Sequence, residues 1–320
     1  MNAPEPRFRI SRHRRTAWLG SGLAAVLSVI GLLVSWLNPG IHAPLKPGLD
    51  FTGGTQIQLE RSCASGGCSA ISAPDIQRAL ASLTLPAEPG ESSPNLGNAS
   101  VQVLDQGQSL VLRLQDLNPG QASALVQEMQ AIAGPLNPES ISVDTIGPTL
   151  GQQLLKGSVV SLVVSFIGIA AYITFRYDGV FAFLALFALG HDVLITCGAF
   201  AWLGLIAGVE VDSLFAVSLI TVAGYSVTDT VVVFDRIREQ RTTLADLPLT
   251  EQVDVAVDAT LTRSLYTSLT TVLPLLGLIF FGGASLFWFA VALTIGISVG
   301  SWSSIGVAPT LLPVLANSKV

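Results

Sequence analysis

A carboxylate or guanidinium at the centre of a bilayer-spanning helix costs about 2.5–3.5 kcal/mol on insertion scales, so each one is a functional candidate by default. This sequence places ionisable side chains inside long apolar stretches at three sites: His191 with Asp192, Asp229, and Arg263. Tyr225 stands one helical turn from Asp229 on the same face, and Thr267, Thr270 and Thr271 follow Arg263 at i+4, i+7 and i+8. Read as an inward-facing polar stripe, these residues describe proton exchange. A carboxylate that alternates between a buried neutral form and an ionised form facing an arginine can take up and release a proton. Asp229 and Arg263 are the candidate relay, with Asp192, Tyr225 and Thr267 as candidate pathway residues. The competing reading of Asp229 and Arg263 is a fixed ion pair that orients helices. For Asp192 it is a hydrogen-bonded packing residue, with His191 its neighbour in sequence but on a different face.

Other chemistries find no support. An intramembrane aspartyl protease needs two facing aspartates in a Gly-x-Gly-Asp context, and Ala188-Leu189-Gly190-His191-Asp192 lacks it. There is no Gly-x4-Gly-Lys-[Ser/Thr] phosphate loop. No enzymatic activity, metal or cofactor is expected, protons being the coupling ion. Cys63 and Cys68 are compatible with a hairpin disulfide in an oxidising compartment, while zinc would need a second ligand pair. Cys197 reads as a small buried hydrophobe, and Gly296-Ile297-Ser298-Val299-Gly300 as a close-packing surface.

The elements that must hold these residues follow from the shortage of charge. Of 320 residues, 50% are hydrophobic and 12% charged, about half the charged share of an ordinary soluble domain, roughly 25%. No Lys, Arg, Asp or Glu lies between Arg15 and Lys46, between Lys156 and Arg176, or between Arg263 and Lys319. Asp192 alone interrupts the stretch from Asp178 to Glu210, and Asp229 alone that from Asp212 to Asp235. At roughly 20 apolar residues per span, six transmembrane helices are predicted near 17–37, 155–175, 179–205, 212–234, 262–281 and 286–313. Residues 1–16 form a basic N-terminus, 153–318 hold helices two to six, and a loop is expected near 235–261. The first span is too long for a signal peptide. Arg7, Arg9, Arg12, Arg14, Arg15, Arg176, Arg236, Arg238 and Arg241 share one side if both termini are cytoplasmic. The arginine run before the first helix reads as a topology signal that also touches anionic lipid.

Segment 38–152 then lies outside the cytoplasm, with four basic and ten acidic residues. Its patterns run strand (55–59), helix from Ser72, strand (101–104), hairpin at 105–108, strand (110–114), helix from Asn118 to Gly134, and strand (141–144). That βαββαβ order is the ferredoxin-like α+β motif. Ile76, Leu80 and Leu83 are expected to face inward, and residues 84–98 to form a flexible loop.

Several motifs together resemble the SecD/SecF family of bacterial protein-export membrane proteins. They are Gly48-Leu49-Asp50-Phe51-Thr52-Gly53-Gly54-Thr55, Ile146-Gly147-Pro148-Thr149-Leu150-Gly151, His191-Asp192-Val193, the run from Tyr225 to Glu239, Thr260-Leu261-Thr262-Arg263-Ser264, Thr267-Ser268-Leu269-Thr270-Thr271, and Phe281-Gly282-Gly283. The resemblance covers nearly the whole chain. It implies a SecF-like half of a twelve-helix RND-type bundle, completed by SecD. It also implies a role beside the SecYEG channel, with YidC and YajC as further partners, in which the proton-motive force promotes late steps of polypeptide export across the bacterial inner membrane. By the same resemblance Asp229 matches the family's proton-relay carboxylate and Arg263 its fifth-helix arginine. The alternatives are a non-energised scaffold of the translocon and insertase, or an RND-like exporter of lipids or small molecules. Two positions depart from the family pattern: Thr228 and Asp258 stand where Asn is usual.

Overall fold

The computed structural model describes residues 6–63, 69–86, 93–104 and 107–317. In chain order its helices are α1 (Arg14–Leu37), α2 (Leu49–Thr52), α3 (Ala73–Ser82), α4 (Pro119–Ala133), α5 (Pro148–Arg176), α6 (Gly179–Ala207), α7 (Ser213–Thr243), α8 (Leu249–Phe281), α9 (Gly283–Trp302) and α10 (Ala308–Asn317). Its strands are β1 (Gly54–Glu60), β2 (Ser100–Leu104), β3 (Ser109–Leu114) and β4 (Ser142–Ile146). The chain divides into two units, 1–46 with 158–320, and 47–157.

Unit 47–157 is an antiparallel sheet in the order β2-β3-β1-β4, the split βαββαβ arrangement the sequence predicts. Alternation does the sorting. Ile57 and Leu59 of β1 and Leu110 and Leu112 of β3 are fully buried against Ile76, Leu80, Leu125 and Met129 of the two helices. Ser72 caps α3 through the Asp75 N–H, and a reciprocal Asn118–Gln121 box caps α4. Arg61 is also buried, which its charge did not suggest. Its guanidinium donates to the carbonyls of Ala133 (2.7 Å), Ser69 (3.0 Å) and Gly107 (2.8 Å) and to Ser69 Oγ (2.8 Å). The stretch expected as flexible loop is partly core. Leu85 and Leu96 are buried, since two leucines among prolines and serines still gain by leaving water. Gly53 and Gly54 take positive φ (73° and 128°), and a Cβ on Gly54 would lie 2.3 Å from Leu114 O. A Cβ on Gly151 would lie 2.9 Å from Gly53 N, so the two glycine motifs that flank the domain meet.

The other unit carries the long helices. Among the described residues six spans are long and apolar enough to cross a membrane: Ile10–Leu37, Pro148–Arg176, Gly179–Ala207, Ser213–Thr243, Leu249–Phe281 and Ser285–Ala316. Small residues let them approach. On α1, Ser21, Ser28 and Ser35 line one buried face at seven-residue spacing, and a Cβ on Gly198 of α6 would fall 2.1 Å from Ser28 Cβ. A Cβ on Gly296 of α9 would fall 2.2 Å from Val222 Cγ2 of α7, so the glycine surface of the sixth span is indeed a packing face.

The structure corrects two expectations about helix ends. Residues 235–261 are not a loop, because α7 runs to Thr243 and α8 begins at Leu249. Charged residues such as Arg236, Arg238, Glu239 and Arg241 end the apolar stretch but are good helix formers. The last span is not uniform either, since a π turn, Ser303–Val307, joins α9 to α10. Pro309, which has no N–H for the carbonyl four residues before it, stands two residues beyond the turn.

The start of α1 is latched to α8. The N–H groups of Arg7 and Phe8 donate to Asp258 (3.2 and 2.9 Å), and the N–H and hydroxyl of Ser11 donate to buried Asp254 (2.9 and 2.5 Å). Asp258, without an assignable role in the sequence, is therefore an acceptor for the chain's N-terminal segment.

Candidate functional site

Asp229 lies on the face of α7 turned toward α8 and the π turn, 8% exposed. Ser264 of α8 donates to Oδ1 (2.8 Å) and Ser304 of the π turn to Oδ2 (2.5 Å). Hydroxyls thus replace the water a carboxylate loses on burial. Ser304 Oγ also lies 3.0 Å from the carbonyl of Ser301. Its O–H therefore has two acceptors, the carboxylate and the backbone, and can turn from one to the other. Above it, Tyr225 donates to Ser268 (3.1 Å), whose hydroxyl bonds Ser301 Oγ.

Asp192 is fully buried in α6 and is tied to the same turn. Its Oδ2 accepts from Ser226 of α7 (2.6 Å) and from Ser303 (2.8 Å). His191 is not on another face, because its Nδ1 lies 2.8 Å from Asp192 Oδ1. Cα–Cβ vectors of adjacent residues diverge by about 100° on a helix, but the imidazole is long enough to fold back onto its neighbour. Gly300 of α9 lies close by, since a Cβ there would fall 3.3 Å from Ser226 Cβ and in ordinary contact with Asp192 Oδ2 at 3.4 Å. Ser303 and Ser304, consecutive in the π turn, therefore serve two carboxylates on two helices.

The structure does not bring Arg263 to Asp229. Arg263 is exposed, as are Thr267 and Thr270, while Thr271 is intermediate, and among the described residues Arg263 makes no ion pair. The Thr267, Thr270 and Thr271 hydroxyls return to carbonyls of their own helix. The inward stripe of α8 is instead Ser264, Ser268 and Leu275, at i, i+4 and i+11. Serines fit where two helices touch, and the longer Arg263 takes the neighbouring face. Ser226, Ser264, Ser268, Ser301, Ser303 and Ser304 are the residues that sequence reasoning missed. Their signal was present, as small hydroxyls at helical spacing in a segment without charge. Cys63 is disulfide-bonded; Cys68, its expected partner, lies outside the described residues, and Cys197 is a free thiol in α6.

A second polar cluster joins the α5–α6 connection to α7. The Tyr177 hydroxyl donates to Asp235 (3.0 Å), which also pairs with Arg176 (3.0 Å), and the Arg176 and Arg238 guanidinium groups lie over the Tyr177 ring. Burial first, then the Asp235 hydrogen bond, holds the phenol above its ordinary range.

The family described as "Protein export membrane protein SecD/SecF, C-terminal" matches residues 126–318, and the "SecD/SecF GG Motif" matches residues 40–64. A protein translocase subunit SecF from Prochlorococcus marinus is 51% identical over 95% of this chain and 94% of its own length. One from Synechocystis is 44% identical over 93% and 90%. A protein translocase subunit SecDF from Thermus thermophilus is 38% identical over 58% of this chain and 25% of its own length. Among solved structures, the crystal structure of SecDF from Thermus thermophilus, titled a translocon-associated membrane protein, superposes with a TM-score of 0.80 at 29% identity over 99% of this chain. This chain spans 39% of that one.

Proposed function

Because the chain belongs to the SecD/SecF family of protein-export membrane proteins, we propose that it is the six-span half of a proton-driven device that promotes late steps of polypeptide export. Its other half is a SecD-type subunit. The single SecDF chain of Thermus, of which this one matches a part, supports that pairing. So does the bareness of two helices, since only 6% of the most apolar stretch of α5 and 11% of that of α8 is buried, against 56% for α7. The face of α8 that carries Arg263 meets the partner's helices in this reading. A SecYEG-type channel is the device's neighbour, with YidC and YajC as further candidates. The membrane in this reading is the bacterial inner membrane, with both termini cytoplasmic, a topology that the arginine distribution supports.

The observation that carries the mechanism is Asp229, a buried carboxylate held by hydroxyls alone from two different elements. Ionised, it anchors α7 to α8 and to the π turn through charge-assisted hydrogen bonds. Protonated, it releases one of them and loosens the contact. A potential of 100 mV supplies about 2.3 kcal/mol per charge moved across the membrane, which shifts a two-state ratio about fifty-fold. Asp229→Asn is expected to abolish ΔpH-dependent export of a secretory protein in vesicles while the membrane complex stays assembled. Arg263→Met is expected to do the same. Undiminished ΔpH-dependent export by Asp229→Asn overturns the mechanism in favour of a non-energised scaffold.

A further inference from the structure

His191 has no part in the exchange assigned to Asp229, yet it is held in the middle of α6 with 8% of its surface exposed. Its Nδ1 faces Asp192 Oδ1 at 2.8 Å, so in the neutral ring the proton sits on Nδ1 and Nε2 is a bare lone pair. That Nε2 is buried and has no hydrogen-bond partner. A buried polar atom of this kind normally has a partner. Here it is the free end of a pair whose other end is fully satisfied, because Asp192 takes His191, Ser226 and Ser303.

We infer that His191 and Asp192 hold a second proton, coupled to Asp229 through the adjacent serines of the π turn. The inference rests on the reading of Asp229 as a proton carrier and extends it to a two-site device. The incoming proton binds Nε2, taking the pair from a net charge of −1 to zero, and leaves from the same atom. No other bond is made or broken. Ser303 Oγ lies 2.8 Å from Asp192 Oδ2 and 3.1 Å from the carbonyl of Gly300, the same choice of acceptors that Ser304 has between Asp229 and Ser301. Their Cα atoms are about 3.8 Å apart. A shift of the π turn that follows a change at one carboxylate therefore moves the donor of the other.

The surroundings leave few other charges to respond. On α6 the ionisable neighbour is Cys197, and on α7 the facing groups are Asp229 and Tyr225. The parts of α1 beyond Arg15, and α9, the π turn and α10, contain no ionisable side chain.

The test uses the full chain with its partner subunit in lipid vesicles, labelled with 15N at histidine. The chain has three histidines. His13 and His42 are exposed, and a His13→Gln, His42→Gln chain assigns the His191 signal without touching the site. The expected result is a His191 signal that passes from the singly to the doubly protonated ring as the pH of the vesicle medium is lowered. Asp229→Asn is expected to displace the midpoint of that change, and Ser303→Ala to remove that response while both carboxylates remain. A His191 signal constant over the whole range overturns the second proton. A midpoint indifferent to Asp229→Asn overturns the coupling, and a response that survives Ser303→Ala overturns its route. Export plays no part in this readout, so failure of the Asp229 mechanism is read separately.

Discussion

The latch between the N-terminal segment and α8 offers a quantitative test. Asp254 is 3% exposed and accepts two hydrogen bonds from Ser11, at 2.9 and 2.5 Å. Hydrogen bonds to a charged group contribute about 1.5–3 kcal/mol each, so taking the lower figure twice, Asp254→Ala removes about 3 kcal/mol from the closed latch. Opening then becomes roughly a hundred-fold more frequent, since about 1.4 kcal/mol is a factor of ten. Asp258 also takes two bonds, at 3.2 and 2.9 Å, but at the surface, where water competes and the contribution falls to about 1 kcal/mol or less. Asp258→Ala therefore changes opening by less than about tenfold. Amide hydrogen exchange of Ser11 and Phe8 in the full chain reads both, because exchange of these N–H groups follows local opening. Equal effects of the two substitutions, or no effect of Asp254→Ala on Ser11, would refute the assignment of the latch to the buried carboxylate.

Other outcomes follow from the same geometry. Arg61→Met takes the donor from the carbonyls of two buried residues, Ala133 and Gly107, and is expected to destabilise the βαββαβ domain by about 2 kcal/mol or more, read as loss of protease resistance in residues 47–157. Gly296→Val forces methyl groups into Val222 and is expected to cost about 1–3 kcal/mol, seen as a lower thermal midpoint in detergent. The Tyr177 phenol is shifted upward, so more protons are bound in the folded than in the unfolded state above its ordinary value of 10.0. The corresponding stability is complete below that pH and declines as pH rises past it. Asp235→Asn is expected to bring the phenol's ultraviolet titration back toward the ordinary value.

The sequence carried the architecture unusually far, for a physical reason. Charge gaps read as spans because the bilayer tolerates nothing else, and βαββαβ followed from alternation and caps such as Ser72 and Asn118 that the structure realises. Helix ends were less legible, because apolarity marks the membrane edge while Arg236–Arg241 continue the helix beyond it. At the site, Asp192 and Asp229 stood out as costly residues, but their donors did not. A serine in an apolar helix has a bland signature, since it can always return its hydroxyl to the preceding turn, as Thr267 does. The π turn that aims Ser303 and Ser304 in two directions depends on backbone geometry around Pro309 rather than on residue type. Arg263 was placed inward because its threonine neighbours share its face, and that shared face turned out to be the outer one.

The serine face of α1 has a consequence for how the protein is made. Trp202 donates its indole N–H to Leu27 O across a separation of 175 residues, and Ser28 lies in van der Waals contact range of Gly198. At about 5–20 residues per second of synthesis, α1 waits roughly 9–35 s before α6 exists to cover it. During that interval the intervening βαββαβ domain is completed, and the first helix waits for its partner with local acceptors for two of its serines, Ala24 O for Ser28 and Ala43 O for Ser35. A leucine-rich anchor would wait more comfortably but could never admit α6. The first span thus serves two successive solvents, lipid and then protein, and its small residues are the compromise between them.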